Sequence, residues 1–202
     1  PTAAYVVATG GTITTSGNFK IHTFTGPGTL CVSCAGNSGG SNTVSYMVIA
    51  GGGGGANNRG GGGGAGGFRE SKAASDSYTA SPLNATSGPT YNLAVPVQGY
   101  PITVGAGAAA LGFPPETSGN DGSNSIFSTI TSAGGGGGGY CATGRNGGSG
   151  GGGSYPGPFS AGGSGNTPPV SPPQGNNGGT SSSTNSGSGG GSAGAVGTAS
   201  SP

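Results

Sequence analysis

Residues 125–139 read Ser-Ile-Phe-Ser-Thr-Ile-Thr-Ser-Ala-Gly-Gly-Gly-Gly-Gly-Gly, a β-prone stretch that leads directly into six consecutive glycines. The same pattern occurs at 46–55 and, in a shorter form, at 103–107. A flexible linker would instead show monotonous glycine and serine without inserted strands. The recurrence therefore indicates an organised fold in which strands lead into glycine runs.

Glycine accounts for 53 of the 202 residues, whereas its usual share is about 7%. Only 4% of the residues are charged and 29% are hydrophobic, so the chain cannot build a conventional core beneath a charged surface. Composition alone also allows disorder, because little apolar burial is available to offset the entropy of the chain. If the chain is ordered, its backbone must supply most of the cohesion.

The formal net charge is +1, and the five cationic side chains are scattered along the chain rather than clustered. Nucleic-acid binding requires a basic face, so we expect no nucleic-acid partner. A membrane-spanning helix needs about 20 apolar residues, and the best candidate, 44–50, is far shorter. We therefore expect no membrane insertion. The chain begins at Pro1 without a visible signal peptide, which we interpret as a processed chain or a fragment.

Three cysteines are an odd number for a disulfide framework. Cys31 and Cys34 have CxxC spacing, but no second CxxC and no paired histidines complete a zinc site. Side chains three residues apart in a strand point to opposite faces, so we expect both to be buried free thiols. Cys141 stands alone after a glycine run. We expect no metal and no cofactor.

Catalysis has little support in the sequence. His22 is the only histidine and lacks an obvious group to orient it. The four carboxylates are dispersed, no GxSxG stands between a strand and a helix, and no lysine follows a glycine run as in a phosphate loop. We expect that the protein is not an enzyme.

The fold class that the sequence predicts is all-β or irregular, with essentially no α-helix, because no 3.6-residue periodicity is present. Residues 1–50 contain short β-branched and aromatic runs separated by Gly, Pro, Asn and Ser, the pattern of a small all-β unit. Residues 51–202 form a second, glycine-rich domain with inserted loops. The strands expected in the first unit lie at 4–8, 12–15, 19–24, 29–33 and 43–49.

The glycine runs can form polyglycine II helices, which have three residues per turn, rise about 3.1 Å per residue and point every amide outwards. Ordering glycine costs much entropy, so only a bundle that satisfies nearly every buried backbone group is stable. We predict a bundle of polyglycine II helices in which 60–64 and 134–139 have φ about −75° and ψ about +145°. The runs are 51–55, 60–67, 134–139, 147–153 and 187–191.

An ordered set of segments resembles the glycine-rich domain of tail-fibre proteins of tailed phages. The first segment opens Thr-Gly-Gly-Thr-Ile-Thr-Thr-Ser-Gly-Asn, and the resemblance covers roughly residues 9–195. It implies a polyglycine II sandwich of the kind found in fibre-tip adhesins, where glycine helices are the frame and loops at one end bind the bacterial surface. The matching segments are 9–29, 46–55, 60–69, 102–107 and 122–139.

The resemblance implies a virion protein, located in a tail fibre or surface spike. Its implied partners are other fibre or spike subunits and a bacterial surface receptor, either protein or glycan; association with copies of itself is a further option. A structural subunit of a secreted or surface glycine-rich filament is the alternative. Ice binding is a third hypothesis, disfavoured because the segments 68–104 and 109–133 are long and unequal.

Receptor contacts are expected from tyrosine, phenylalanine and arginine on the loops, since these residues dominate binding hot spots. Several of them can instead cover the ends of the glycine bundle, because a small core needs its aromatics. Ile126, Phe127 and Ile130 are expected to pack. The candidate receptor-binding residues are Phe68, Arg69, Tyr78, Tyr91, Tyr100, Phe113, Tyr140, Arg145, Tyr155 and Phe159.

Overall fold

The computed structural model describes residues 2–112, 114–154, 160–182 and 186–200. Within these ranges the chain has twelve β-strands and no α-helix, which confirms the predicted fold class. The strands are β1 Val6–Thr9, β2 Thr12–Ser16, β3 Phe19–Thr23, β4 Gly28–Ala35, β5 Thr43–Val44, β6 Tyr46–Ile49, β7 Phe68–Ser71, β8 Asn84–Ala85, β9 Leu93–Ala94, β10 Gly99–Thr103, β11 Ser125–Phe127 and β12 Ile130–Ser132.

The largest sheet has five antiparallel strands in the order β1-β4-β10-β11-β12. Its inner face and the neighbouring sheet β6-β7-β8 enclose the one apolar core of the described residues. Phe127 lies edge-on to Tyr46 and Tyr100, with ring centroids 6.3 and 6.0 Å apart. Because β4 pairs with β10, the sheet and its core contain residues from both sides of the boundary predicted near residue 50.

The β-prone stretch 125–132 forms two strands rather than one. The chain reverses at Ser128 and Thr129, so that β11 and β12 form a hairpin. Ser128 has φ 53°, in the left-handed region that tight turns require. The hairpin brings Phe127 and Ile130 into the core together, which confirms that both are packing residues.

The cysteines are free thiols, but the expectation that Cys31 and Cys34 are buried is wrong. In β4, Leu30 and Val32 face the core, so the alternation of a strand places Cys31 on the exposed face. Cys34 is half-buried near the end of the strand, and Cys141 is exposed.

The glycine runs pack side by side and are joined by backbone hydrogen bonds. The run 148–154 is buried along its whole length. It exchanges hydrogen bonds with six other segments, so a neighbour lies on every side of it. These segments are 60–67, 133–139, 142–147, 160–166, 174–181 and 186–192.

Within 60–67, every third amide donates to the same neighbour. Three amides, each three residues from the next, donate to the run 133–139 at 2.7–2.8 Å. The amides that directly follow the first two of these donate to the run 186–192 at 2.9–3.0 Å. This repeat fits a helix of three residues per turn rather than the two-residue repeat of a strand. The first set is Gly61, Gly64 and Gly67, and the second is Gly62 and Ala65. The torsion angles of polyglycine II stay a prediction.

Side chains of the segment 118–124 complete the hydrogen bonding of the buried run 133–139. Ser118, Asp121 and Asn124, spaced three residues apart, accept bonds at 2.8–2.9 Å from three backbone amides of the facing run. Those amides belong to Tyr140, Gly137 and Gly134, respectively. The segment 118–124 therefore binds this run through side-chain acceptors at every third position and through its own backbone, since Gly119 N and Gly122 N donate to Gly138 O and Gly135 O.

Replacing Asp121 by alanine is expected to lower the free energy of unfolding by about 1–3 kcal/mol, because the buried Gly137 amide then has no acceptor. Arg145→Ala is the matched control: it removes the 2.7 Å ion pair between Arg145 and Asp121 but keeps the acceptor. Exposed ion pairs contribute only about 0–1 kcal/mol. Urea denaturation followed by circular dichroism measures both. Equal losses in the two variants would contradict the capping role.

The bundle has two different ends. At one end, which we call the strand end, the runs join the strands: 50–56 follows β6, 60–67 precedes β7, and 133–139 follows β12. At the opposite end the runs are joined by the turns 56–60 and 139–143.

Among the described residues, no helix is long and apolar enough to cross a bilayer.

Candidate binding tip

In the part of the chain that the structure describes, three loops meet at the end of the bundle that lies away from the strands: 56–60, 110–112 with 114–117, and 139–143. Hydrogen bonds between the ends of the runs place them together, since Gly138 N donates to Gly54 O and Gly119 N donates to Gly138 O. We call these three loops the tip. Phe113 lies outside the described residues, and so do Tyr155 and Phe159.

Asn57 fixes the second tip loop against the first. Its Nδ2 donates to the carbonyl oxygens of Gly112 at 3.1 Å and Pro115 at 3.0 Å. Its Oδ1 accepts from the amide of Thr117 at 2.8 Å. One side chain therefore satisfies three backbone groups of a loop that lies more than fifty residues further along the chain.

The turn that carries Asn57 is tight. Ala56 N donates to Gly61 O at 2.9 Å, which closes the turn between two glycine runs. Asn58 and Arg59 have φ of 47° and 62°, and Cys141 in the third loop has φ of 49°. Non-glycine residues adopt this left-handed region rarely, and such positions concentrate at functional sites.

Glu116 is the polar centre of the tip. One carboxylate oxygen accepts a hydrogen bond from Asn58 Nδ2 and the other accepts one from the Tyr140 hydroxyl. The carboxylate thus joins all three loops through their side chains. Glu116 is exposed, so its remaining lone pairs face solvent.

The hydrogen bond to Glu116 raises the pKa of Tyr140 above its usual value, and a smaller contribution comes from Cys141. The bond requires the protonated phenol, so ionisation of Tyr140 would place two negative charges side by side. The Tyr140–Glu116 contact is therefore complete below the ordinary tyrosine pKa of about 10. It is lost only as the pH rises through the raised pKa.

The structure places the remaining predicted contact residues away from the tip. Arg145 is exposed on the side of the bundle, where it pairs with Asp121. Tyr78 is 43% exposed in the loop after β7, and its ring centroid lies 5.5 Å from Lys72 Nζ. Burial, followed by the nearby Glu70 carboxylate, raises the pKa of Tyr78 to about 12. Tyr91 is half-buried before β9.

Two predicted contact residues are inside the protein and are removed from the candidate set. Arg69 is 6% exposed on β7, and its Nη1 donates to Thr131 O at 3.5 Å. Tyr100 is 4% exposed in the core, and its hydroxyl donates to Pro96 O. Phe68 is half-buried on β7. All three residues belong to β7 or β10. Both strands are part of the sheets at the strand end, so none of the three residues lies at the tip.

Sequence reasoning missed Asn57 and Glu116, because it considered only aromatic residues and arginines. One signal was available: Asn57-Asn58-Arg59 is a turn-forming sequence between two glycine runs. Nothing in the sequence pairs Glu116 with Asn58 or Tyr140, since these residues are distant along the chain.

A family model described as a glycine-rich domain matches residues 14–202. The chain belongs to the glycine-rich domain family. The match includes the runs, the tip and all strands except β1 and the first residues of β2. No curated protein and no solved structure matches this glycine-rich domain.

Proposed function

We propose that this glycine-rich domain is a non-enzymatic module of a phage virion fibre or spike that binds the host cell surface through its tip. One observation carries the proposal: at the bundle's free end, hydrogen bonds hold polar and aromatic side chains of three described loop segments in one arrangement. Pre-organised loops on a rigid frame bind without a large ordering cost.

We infer further that the frame is a polyglycine II sandwich. Its support is the three-residue hydrogen-bond repeat of 60–67 and the six neighbours of 148–154. The close approach of the backbones adds to it, because a Cβ on Gly138 would overlap the carbonyl oxygen of Gly61. Such a frame offers a partner almost no side chains, so recognition falls to the loops.

The resemblance to tail-fibre domains supports the virion location and the partners, namely other fibre or spike subunits and a bacterial surface receptor. In the filament alternative, the same frame would assemble with copies of itself, and the tip would have no ligand.

The proposal is tested by measuring adsorption of the fluorescently labelled chain to a broad panel of bacterial strains. Saturable binding to particular strains, displaced by unlabelled chain, is the expected result. Absence of binding across the panel, together with filaments in electron micrographs of the purified chain, would favour the filament alternative.

A further inference from the structure

The hairpin formed by β2 and β3 belongs to no larger sheet in the part of the chain that the structure describes. All ten residues of its strands are exposed except His22, which is half-buried. Three of the exposed residues are large and apolar: Ile13 at 44%, Phe19 at 42% and Ile21 at 45%. An isolated two-stranded hairpin is only marginally stable in water, so further strands paired at its edge would stabilise it.

The chain leaves the five-stranded sheet sharply before the hairpin. Gly10 and Gly11 have φ of 109° and 65°, and a Cβ on Gly10 would overlap the carbonyl oxygen of Thr29. A hydrogen bond of 2.8 Å from His22 Nδ1 to Gly10 O fixes the base of the hairpin. The hairpin is therefore held in a defined orientation beside the sheet.

The pairing register shows which backbone groups of β2 face outwards. The two-residue turn at Gly17 and Asn18 makes Ser16 and Phe19 a hydrogen-bonded pair. Hydrogen-bonded and non-hydrogen-bonded pairs alternate along an antiparallel ladder. The amide and carbonyl groups of Ile13 and Thr15 therefore point away from β3, towards an open edge.

The two edges of the hairpin differ in charge. The β2 edge, Thr-Ile-Thr-Thr-Ser, has no charged residue and no proline, the devices that normally protect an open strand edge. The β3 edge carries Lys20 and His22. If two β3 strands paired about Ile21, Lys20 of each copy would face His22 of the other, whereas two β2 strands bring no charges together.

We propose that the β2 edge binds the β2 edge of a second copy of this chain, forming a four-stranded antiparallel sheet across a two-fold axis. With Thr14 on the axis, Ile13 pairs with Thr15 of the second copy, and the outward amide and carbonyl groups of both residues are satisfied. This places self-association on the β2–β3 hairpin, which contains none of the tip residues.

Sedimentation equilibrium of the full chain tests this. Two five-residue strands form a small interface, and small interfaces are weak. We therefore expect the dimer to become detectable as the concentration is raised to about 0.5 mM. Thr14→Lys should raise the midpoint concentration for dimerisation at least about tenfold, because the two lysines stand directly opposite one another. Mixing the Thr14→Lys chain with a Thr14→Glu chain should restore the dimer.

Thr23→Lys is the matched control, because it adds the same charge to the same face of the hairpin, on the strand away from the axis. It should dimerise like the unchanged chain, and circular dichroism checks that every variant is folded. A monomer throughout the concentration range, no effect of Thr14→Lys, an equal effect of Thr23→Lys, or no rescue in the mixture would each overturn the proposal.

Discussion

Gly136→Ala is expected to lower the free energy of unfolding by about 3 kcal/mol or more, a large fraction of the stability of a typical domain. A Cβ at this position would overlap the backbone carbonyl oxygen of Arg145 and press on that of Asn146. The obstacle is the backbone of a neighbouring run, so no side-chain rotation can relieve it. Gly136→Val adds two further methyl groups in the same space and should be worse. Urea denaturation or a thermal melt measures the loss.

Gly107→Ala is the matched control, since this glycine lies in another glycine cluster and is exposed. Its Cβ would meet only the carbonyl oxygen of Gly52 at 3.7 Å, an ordinary contact. Removing a glycine from the unfolded chain without strain stabilises a protein by about 0.4–1 kcal/mol. The two substitutions should therefore act in opposite directions. Similar effects of both would mean that the runs are not closely packed.

The strands of residues 1–50 could be predicted from the sequence because they are local β-branched and aromatic runs bounded by turn residues. β7, β8 and β9 could not, since none of them contains a β-branched residue. The hairpin at Gly17 and Asn18 and the alternation in β4 follow from such local rules. The sheet order could not be predicted. β4 pairs with β10 about seventy residues later, and no local pattern specifies that pairing.

The residues that form the tip could be predicted only in part for the same reason. Arg69 and Tyr100 have side chains typical of binding surfaces, but pairing of β7 and β10 within sheets carries them inside. Asn57 and Glu116 acquire their roles only when the bundle brings loops from distant parts of the chain to one end. Tertiary packing therefore decided which of these polar and aromatic residues are available to a partner.

The tip should control adsorption to cells without controlling stability. The Tyr140→Ala, Glu116→Ala double variant is expected to weaken adsorption by about 30-fold or more, the loss that removal of a binding hot spot produces. Both side chains lie on loops outside the core, and their hydrogen bonds are to one another, to Asn58 and to Cys141, all within the tip. The melting temperature should therefore change by only a few degrees, because such loops add little to the cooperative unit.

Tyr78→Ala supplies the matched control, since it removes an exposed tyrosine from a loop at the strand end. It should leave adsorption unchanged, as the loop after β7 is separated from the tip by the length of the glycine runs. Cell adsorption and melting curves are measured in parallel for the unchanged chain and both variants. If Tyr78→Ala abolished adsorption and the tip variant did not, recognition would belong to the strand end. If neither variant altered adsorption, the tip would have no part in binding.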